Sequence, residues 1–226
     1  MRKVLIAVMC VCAGCGPVME QNGPAIQVQE CEYLLSVVVD MSGSFDREMQ
    51  SGTGRAYRLL MRTVDRFFRD RIGSNDRIII SQVSGTERAL LWEGNPRTLR
   101  QQFGSATAFG NFLLMNSHSA GSRIHDGVKE TIEYMLDFPG VSNGKTKSLV
   151  MVLSDMDDNF PDTAASRERL LSSLKTYAQT GGVAAIYWCD QRFVPDWRRD
   201  LKAARFRSFV VESDIAADPA IPTFDD

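Results

Sequence analysis

The feature that most constrains the fold is a regular alternation of short apolar runs with longer amphipathic segments. Residues 33–39 (Tyr-Leu-Leu-Ser-Val-Val-Val) are almost continuously apolar, which is typical of a parallel strand buried on both faces. Residues 55–70 place apolar side chains at helical spacing, with arginines between them. Strands that alternate with amphipathic helices predict a doubly wound α/β domain.

The complete pattern predicts a mostly parallel central sheet of about six strands with helices on both faces. The third strand is short and follows the second closely enough to pair with it as an antiparallel hairpin. The predicted strands are residues 33–39, 77–83, 89–92, 148–153, 183–188 and 208–211. The predicted helices are residues 55–70, 97–103, 122–137, 163–179 and 196–204, and residues 104–121 are predicted to form a loop.

The first fifteen residues are typical of a targeting segment. Two basic residues precede an apolar run at residues 4–13, which is too short to cross a bilayer as a helix and matches a signal peptide. The run ends in Ala-Gly-Cys, which resembles a bacterial lipobox in which Cys15 is acylated, although Cys12 stands where Leu is usual. We therefore expect an exported lipoprotein at the cell envelope, facing the periplasm or the cell surface. Ordinary secretion, with cleavage at a neighbouring glycine, is the alternative.

Four segments follow from these patterns. Residues 1–15 form the signal peptide, and residues 16–31, which contain two Gly-Pro steps and no regular period, form a flexible tether. Residues 32–213 form the folded domain. Residues 214–226 form an acidic C-terminal tail that we expect to be loosely held.

The charge balance excludes one class of partner. The chain has 26 Lys and Arg residues against 28 Asp and Glu residues, with a formal net charge of −2, whereas a nucleic-acid-binding protein usually shows a basic excess. Only two histidines occur in the sequence, which argues against a zinc site built on several histidines. We expect His125 to be a packed or solvated side chain rather than a metal ligand.

Two cysteines, Cys31 and Cys189, lie within or beside the predicted domain. Export favours a disulfide, but Cys31 precedes the first strand and Cys189 ends a later parallel strand. The two residues should therefore lie at opposite edges of the sheet, about 20 Å apart, whereas a disulfide needs Cα atoms within about 7 Å. We predict two free, buried thiols.

Small oxygen-bearing side chains follow two predicted strands. Asp40, Ser42 and Ser44 come after the first strand, Asp155 follows the fourth, and Ser122 stands at the start of a helix as a natural N-cap. Strand ends of such folds meet in one crevice, and two carboxylates there repel each other unless a cation lies between them. Carboxylates and hydroxyls suit a hard divalent cation. We predict Mg²⁺, with Mn²⁺ or Ca²⁺ as alternatives.

Three segments at these strand ends resemble the von Willebrand factor type A (vWA) family. Residues 40–44 resemble its D-x-S-x-S motif, residues 121–128 resemble its G-T-x-I-x-D-A-L segment, and residues 153–159 resemble its L-T-D-G-x-D-N segment. The segments occur in the family's order, and the resemblance extends over residues 32–213. This resemblance implies a metal-ion-dependent adhesion site. It implies that Ser42, Ser44 and Ser122 contact the metal directly, whereas Asp40 and Asp155 act mainly through waters.

The resemblance also implies a function. A cation held mostly by neutral hydroxyls and waters retains a preference for one more anionic oxygen, so a Glu or Asp carboxylate of a protein partner completes the site. The expected function is protein binding, not catalysis. The sequence departs from the family twice, with Ser122 for the usual Thr and Met156 for the usual Gly; the second puts the loop geometry in question. Five apolar residues of the predicted loop form either an apolar rim for the partner or part of the core: Phe109, Phe112, Leu113, Leu114 and Met115.

Two alternatives remain open at this point. The first is a phosphohydrolase similar to the haloacid dehalogenases, which also carry an Asp after the first strand. Those enzymes usually place a second Asp two residues later, where this chain has Ser42. The second alternative is a vWA scaffold that binds no metal, in which Asp40 and Ser44 serve as turn and cap residues.

Overall fold

The computed structural model describes residues 31–43, 45–71, 74–83, 89–117, 121–213 and 219–224. The strands in this part of the chain are β1 (Tyr33–Asp40), β2 (Arg77–Val83), β3 (Leu90–Gly94), β4 (Lys147–Leu153), β5 (Val183–Tyr187) and β6 (Phe209–Glu212). They form one six-stranded sheet in the order β3-β2-β1-β4-β5-β6. All pairs are parallel except β2 with β3. The predicted sheet, including its short antiparallel third strand, is confirmed.

The helices in the described part are α1 (Asp46–Met49), α2 (Arg55–Asp70), α3 (Pro96–Gln102), α4 (Ala106–Asn116), α5 (Ile124–Leu136), α6 (Pro139–Ser142), α7 (Thr163–Gln179) and α8 (Val194–Ala203). The five predicted helices correspond to α2, α3, α5, α7 and α8. The prediction of a loop over residues 104–121 is wrong, because α4 occupies most of that segment. Ser105 caps α4 by accepting the Ala108 N–H at 3.1 Å, and Phe109 and Leu113, one turn apart, are buried in the core.

The sheet separates two apolar layers, because successive strand residues point to opposite faces. On one face, Val37 of β1 belongs to a cluster with Leu60 of α2 and Phe109 of α4. On the other face, Val38 belongs to a cluster with side chains of α5, α7 and α8, among them Ile124, Leu170 and Leu201. Helices therefore cover both faces, as the doubly wound prediction requires.

The strand register places two acidic residues beside each other. Val39 of β1 pairs with Leu153 of β4. Asp40 and Asp155 therefore lie at the same edge of the sheet, with Asp155 one residue further along its strand direction than Asp40. Helix α5 approaches this edge closely, since a Cβ on Gly127 would lie 3.0 Å from the backbone oxygen of Gln82. Only a glycine fits that approach without displacing β2.

The tail is not loosely held over residues 219–224. The Tyr187 hydroxyl donates to the Ala220 carbonyl oxygen at 2.8 Å. The Phe224 ring packs against Tyr33 and Phe67, with ring centroids 5.3 and 5.8 Å apart. This part of the acidic tail therefore packs on the face of the sheet that α2 covers.

Both cysteines are free and buried, which confirms the prediction of two unpaired thiols. Burial raises the pKa of Cys189 to about 12 and also raises that of Cys31. The signal peptide, Cys15 and the tether up to residue 30 lie outside the described residues. In the part of the chain that is described, no helix has the length and apolar character needed to span a membrane.

Candidate metal centre

Asp40 is the last residue of β1 and is completely buried. Its Oδ1 accepts the Ser42 backbone N–H at 2.9 Å, and its Oδ2 accepts the Ser154 hydroxyl at 2.8 Å. Burial raises the pKa of the Asp40 carboxyl; the Asp155 charge raises it further, and the hydrogen bonds from Ser42 and Ser154 oppose the increase. Ionising this carboxyl therefore becomes easier when a positive charge is close by.

The loop after β4 presents Asp155. Its Oδ1 accepts the Asp157 N–H at 3.0 Å, and its carbonyl oxygen accepts the Asp190 N–H at 2.9 Å, which ties the loop to the segment after β5. Met156 takes a left-handed conformation with φ 64° and buries its side chain. Met156 therefore adopts a left-handed backbone conformation that glycine adopts more easily.

Ser122 lies just before α5, and its hydroxyl has no hydrogen-bond partner among the described residues although it is buried. The prediction that Ser122 caps the helix is wrong, because Arg123 is the N-cap residue and supplies no side-chain cap. A carboxylate from the loop after β4 does this instead: Asp158 Oδ2 accepts the His125 N–H at 3.0 Å. Leaving a hydroxyl buried and unpaired costs about 1–3 kcal/mol, so Ser122 is suited to an oxygen-binding cation.

The structure brings four predicted site residues to one edge of the sheet: Asp40, Ser42, Ser122 and Asp155. The Ser154 hydroxyl joins Asp40 to the loop after β4, and the Asn159 N–H donates to the Ser122 carbonyl oxygen at 3.2 Å. The fifth predicted residue, Ser44, lies outside the described residues. Where the chain is described, no three His, Cys, Asp or Glu side chains form a metal-binding group. The predicted site has two carboxylates, and its other protein ligands would be hydroxyls, which fit a hard cation.

His125 is buried near the start of α5, and its ring packs against Trp197, with centroids 5.9 Å apart. Its Nδ1 lies 3.1 Å from Asp158 Oδ2 and 3.3 Å from the Ser166 hydroxyl oxygen. Burial lowers the pKa of His125, and the nearby Asp158 charge opposes the decrease. Asp158 belongs to the segment that resembles L-T-D-G-x-D-N, but sequence analysis gave it no role, because its partner in α5 is 33 residues away.

Two aromatic residues pack beneath the same edge. Phe45, which follows the D-x-S-x-S segment, packs edge-on against Trp188 after β5, with centroids 6.4 Å apart. Trp188 has φ 66°, and its Nε1 is buried without a hydrogen-bond partner in the described part of the chain. These rings link the loop after β1 to the segment after β5.

Comparison with known proteins identifies the fold. No protein-family model and no curated protein matches the sequence. Among solved structures, the VWA domain of SpRpn10 superposes with a TM-score of 0.55 at 9% identity, covering 80% of this chain and 87% of that one. The domain has the von Willebrand factor type A fold. The vWA likeness extends to the N-terminal domain of TFIIH p34, with a TM-score of 0.50 at 10% identity over 80% of this chain and 90% of that one.

A larger protein shares the vWA fold over part of its length. The pilus adhesin SpaC from Lactobacillus rhamnosus GG, in its open conformation, gives a TM-score of 0.54 at 12% identity. The match covers 82% of this chain and 28% of SpaC. At such identities the vWA likeness concerns the fold alone.

Proposed function

We propose that this vWA domain is a protein-binding module that recognises a partner's carboxylate through a divalent cation. The cation would be held by Asp40, Ser42, Ser44, Ser122 and Asp155, and Mg²⁺ suits these ligands best, with Mn²⁺ or Ca²⁺ as alternatives. The observation that carries the proposal is the buried Ser122 hydroxyl, which lacks a partner among the described residues. It stands at the same sheet edge as two carboxylates.

The hydrogen bonds of Asp40 support a role in which it acts on the cation through waters, whereas the serine hydroxyls contact the cation directly. Both of its carboxylate oxygens already accept a hydrogen bond, from the Ser42 N–H and from the Ser154 hydroxyl, so Asp40 is suited to act through waters. A bound cation supplies a Lewis-acidic position that a partner's Glu or Asp oxygen can fill. With mostly hydroxyls and waters around it, that position stays short of negative charge and favours an anionic oxygen.

The proposed place of action rests on the N-terminal sequence. We propose export, acylation at Cys15 and a tether over residues 16–31, which would hold the domain at the cell envelope, facing the periplasm or the cell surface. The expected result is that Cys15→Ser moves the protein from the membrane fraction to the soluble fraction after bacterial expression. A wild-type protein that takes up no labelled fatty acid, whatever the fraction in which Cys15→Ser is found, would exclude the lipid anchor.

The metal site can be tested by thermal unfolding of the purified protein after chelation, with and without added Mg²⁺, Mn²⁺ or Ca²⁺. A cation at one hundred times its Kd should stabilise the folded state by about 2.7 kcal/mol. Ser122→Ala should abolish this gain. The matched control is Ser36→Ala, because Ser36 also has a buried hydroxyl with no described partner but lies in the middle of β1. That variant should keep the full metal response.

Two results would contradict the proposal. If no cation stabilises the wild-type protein, the chain is a metal-free vWA scaffold, a role compatible with the satisfied hydrogen bonds of Asp40. If the protein hydrolyses an aryl phosphate with Mg²⁺, and Asp40→Asn abolishes this activity, the phosphohydrolase alternative is correct.

A further inference from the structure

The segment Asp158–Phe160, here called the β4-loop clamp, holds the start of α5 through a buried carboxylate. The Asp158 side chain is 5% exposed. Its Oδ2 accepts the His125 N–H at 3.0 Å, and its Oδ1 accepts the Phe160 N–H at 3.2 Å. One side chain therefore fixes both the first turn of the helix and the path of its own loop.

The rest of the β4-loop clamp holds the residues just before α5. The Asn159 N–H donates to the Ser122 carbonyl oxygen at 3.2 Å, and the Arg123 guanidinium lies over the Phe160 ring, 4.6 Å from its centroid. Gly121 has φ +92°, and a Cβ there would lie 3.0 Å from the Phe160 ring. The clamp thus contacts residues on both sides of the Ser122 side chain.

The Asp158 carboxylate is itself held in place. The His125 ring presents Nδ1 3.1 Å from Asp158 Oδ2. The same nitrogen lies 3.3 Å from the Ser166 hydroxyl oxygen of α7. The loop after β4, α5 and α7 therefore meet at the buried Asp158 carboxylate. A carboxylate held by several contacts fixes the position of α5 better than an exposed, mobile one would.

We propose that Asp158 is the positioning residue of the metal centre. A Ser at the N-cap ordinarily uses its hydroxyl to accept an N–H of the first turn, but the N-cap of α5 is Arg123, whose side chain makes no such bond. Here Asp158 accepts the His125 N–H from another loop, which leaves the Ser122 hydroxyl uncommitted and sets its position relative to Asp155. This inference rests on the proposed function, because the hydroxyl is set aside for the cation.

The test compares Asp158→Asn with Asp76→Asn. Asp76 is a matched control, because its side chain is 4% exposed and its Oδ1 accepts two backbone N–H groups, from Glu32 at 3.1 Å and Tyr33 at 2.9 Å. It stands at the start of β2, at the opposite edge of the sheet from the metal centre. Each substitution removes one buried acceptor oxygen and adds an amide donor, so both should lower the melting temperature.

The probes are Mg²⁺ and Mn²⁺ alone, measured by titration calorimetry, together with amide hydrogen exchange of the chelated protein. Asp158→Asn should weaken cation binding by about 10–100-fold, the usual effect of losing a group that orients a metal ligand. It should also speed exchange across residues 121–127. Asp76→Asn should leave both properties at the wild-type value. Phe160→Ala keeps the buried carboxylate and should weaken cation binding by a smaller factor. This variant replaces Asp158→Asn as the test if Asp158→Asn does not fold.

The outcomes separate the two proposals. If the wild-type protein binds no cation, the proposed function fails, and the positioning role fails with it, whatever the exchange rates are. If the wild type binds and Asp158→Asn binds equally well, only the positioning role is overturned. Equal weakening by Asp76→Asn would also overturn it, because the effect would then follow from lost stability.

Discussion

At the start of many helices, a serine hydroxyl accepts a backbone N–H of the first turn. In this protein Asp158 accepts that N–H, and the hydroxyl of the nearby Ser122 does not. Ser122 stands one residue before the N-cap, Arg123, which supplies no side-chain cap, and a carboxylate from the loop after β4 accepts the His125 N–H of α5. The serine hydroxyl remains buried without a described partner. At the scale of a residue, the proposed function depends on a hydroxyl that makes no hydrogen bond to the described residues.

Met156 experiences two opposing effects at one position. Its φ of 64° is left-handed, which costs about 1–2 kcal/mol for a residue with a Cβ. Its side chain is buried in the layer formed with α5, α7 and α8, which favours a large apolar residue. The loss of a buried Met side chain costs about 2–5 kcal/mol, so burial outweighs strain and Met is retained where the vWA family usually has Gly.

We therefore expect Met156→Gly and Met156→Ala both to be less stable than the wild type, with an unusual order between them. Met156→Gly should be more stable than Met156→Ala by about 1 kcal/mol, because only Gly relieves the left-handed strain. Denaturant unfolding of the chelated protein measures the difference. An Ala variant that equals or exceeds the Gly variant would contradict the account of Met156.

Among the elements, α4 shows how tertiary burial overrides a weak local signal. The helix contains Gly110 and has no charged residue. Its rings nevertheless join a cluster in which the centroid of Phe103 lies 5.1 Å from that of Phe109 and 4.9 Å from that of Phe112. The five apolar residues predicted to form either a rim or part of the core differ in burial. Phe109 and Leu113 are core residues, and Phe112 is half-buried. Leu114 and Met115 are 45% and 84% exposed.

The division within α4 predicts different responses to the same kind of substitution. Phe109→Ala should lower the free energy of unfolding by about 3–5 kcal/mol, because it removes a buried ring from a packed cluster. Met115→Ala should change it by no more than about 0.5 kcal/mol, because the Met115 side chain is exposed to solvent. Chemical denaturation of the two variants provides the comparison, and equal losses would show that α4 packs differently.

At the scale of the whole molecule, residues 221–224 pack at the end of the domain opposite the candidate metal centre. Arg71 at the end of α2 places its guanidinium 3.2 Å from the ring centroid of Tyr33, at the start of β1, and 5.5 Å from that of Phe224. A cavity of about 300 Å³ lies between these residues and the sheet, with Leu35 and Ile221 in its walls. The end of the chain therefore contributes to the core.

Removal of residues 214–226 should accordingly destabilise the domain. The loss of Ile221 and Phe224 from partly buried positions should cost about 2 kcal/mol, which lowers the melting temperature of a chain of this size by about 4–8 °C. The matched control lacks only residues 225–226 and should melt like the wild type. A truncated chain with an unchanged melting temperature would show that the tail adds nothing to the core.

Much of the architecture was predictable from the sequence because it depends on local periodicity. The bounds of β2, α2 and α7 match the predicted residues 77–83, 55–70 and 163–179, since an apolar repeat and its interruptions are properties of adjacent residues. The acidic residues of the candidate centre were also predictable. Parallel strands end at a common edge, so residues that follow them must lie near one another.

The remaining features were decided by tertiary structure alone. Four features depend on residues far apart in the chain. They are the formation of α4, the packing of residues 219–224, the capping of α5 by Asp158 and the lack of a partner for the Ser122 hydroxyl among the described residues. A one-dimensional pattern records which side chains can bury or donate a hydrogen bond. Only the folded chain determines which distant partner each one meets, because burial and hydrogen bonding are settled by the whole core at once.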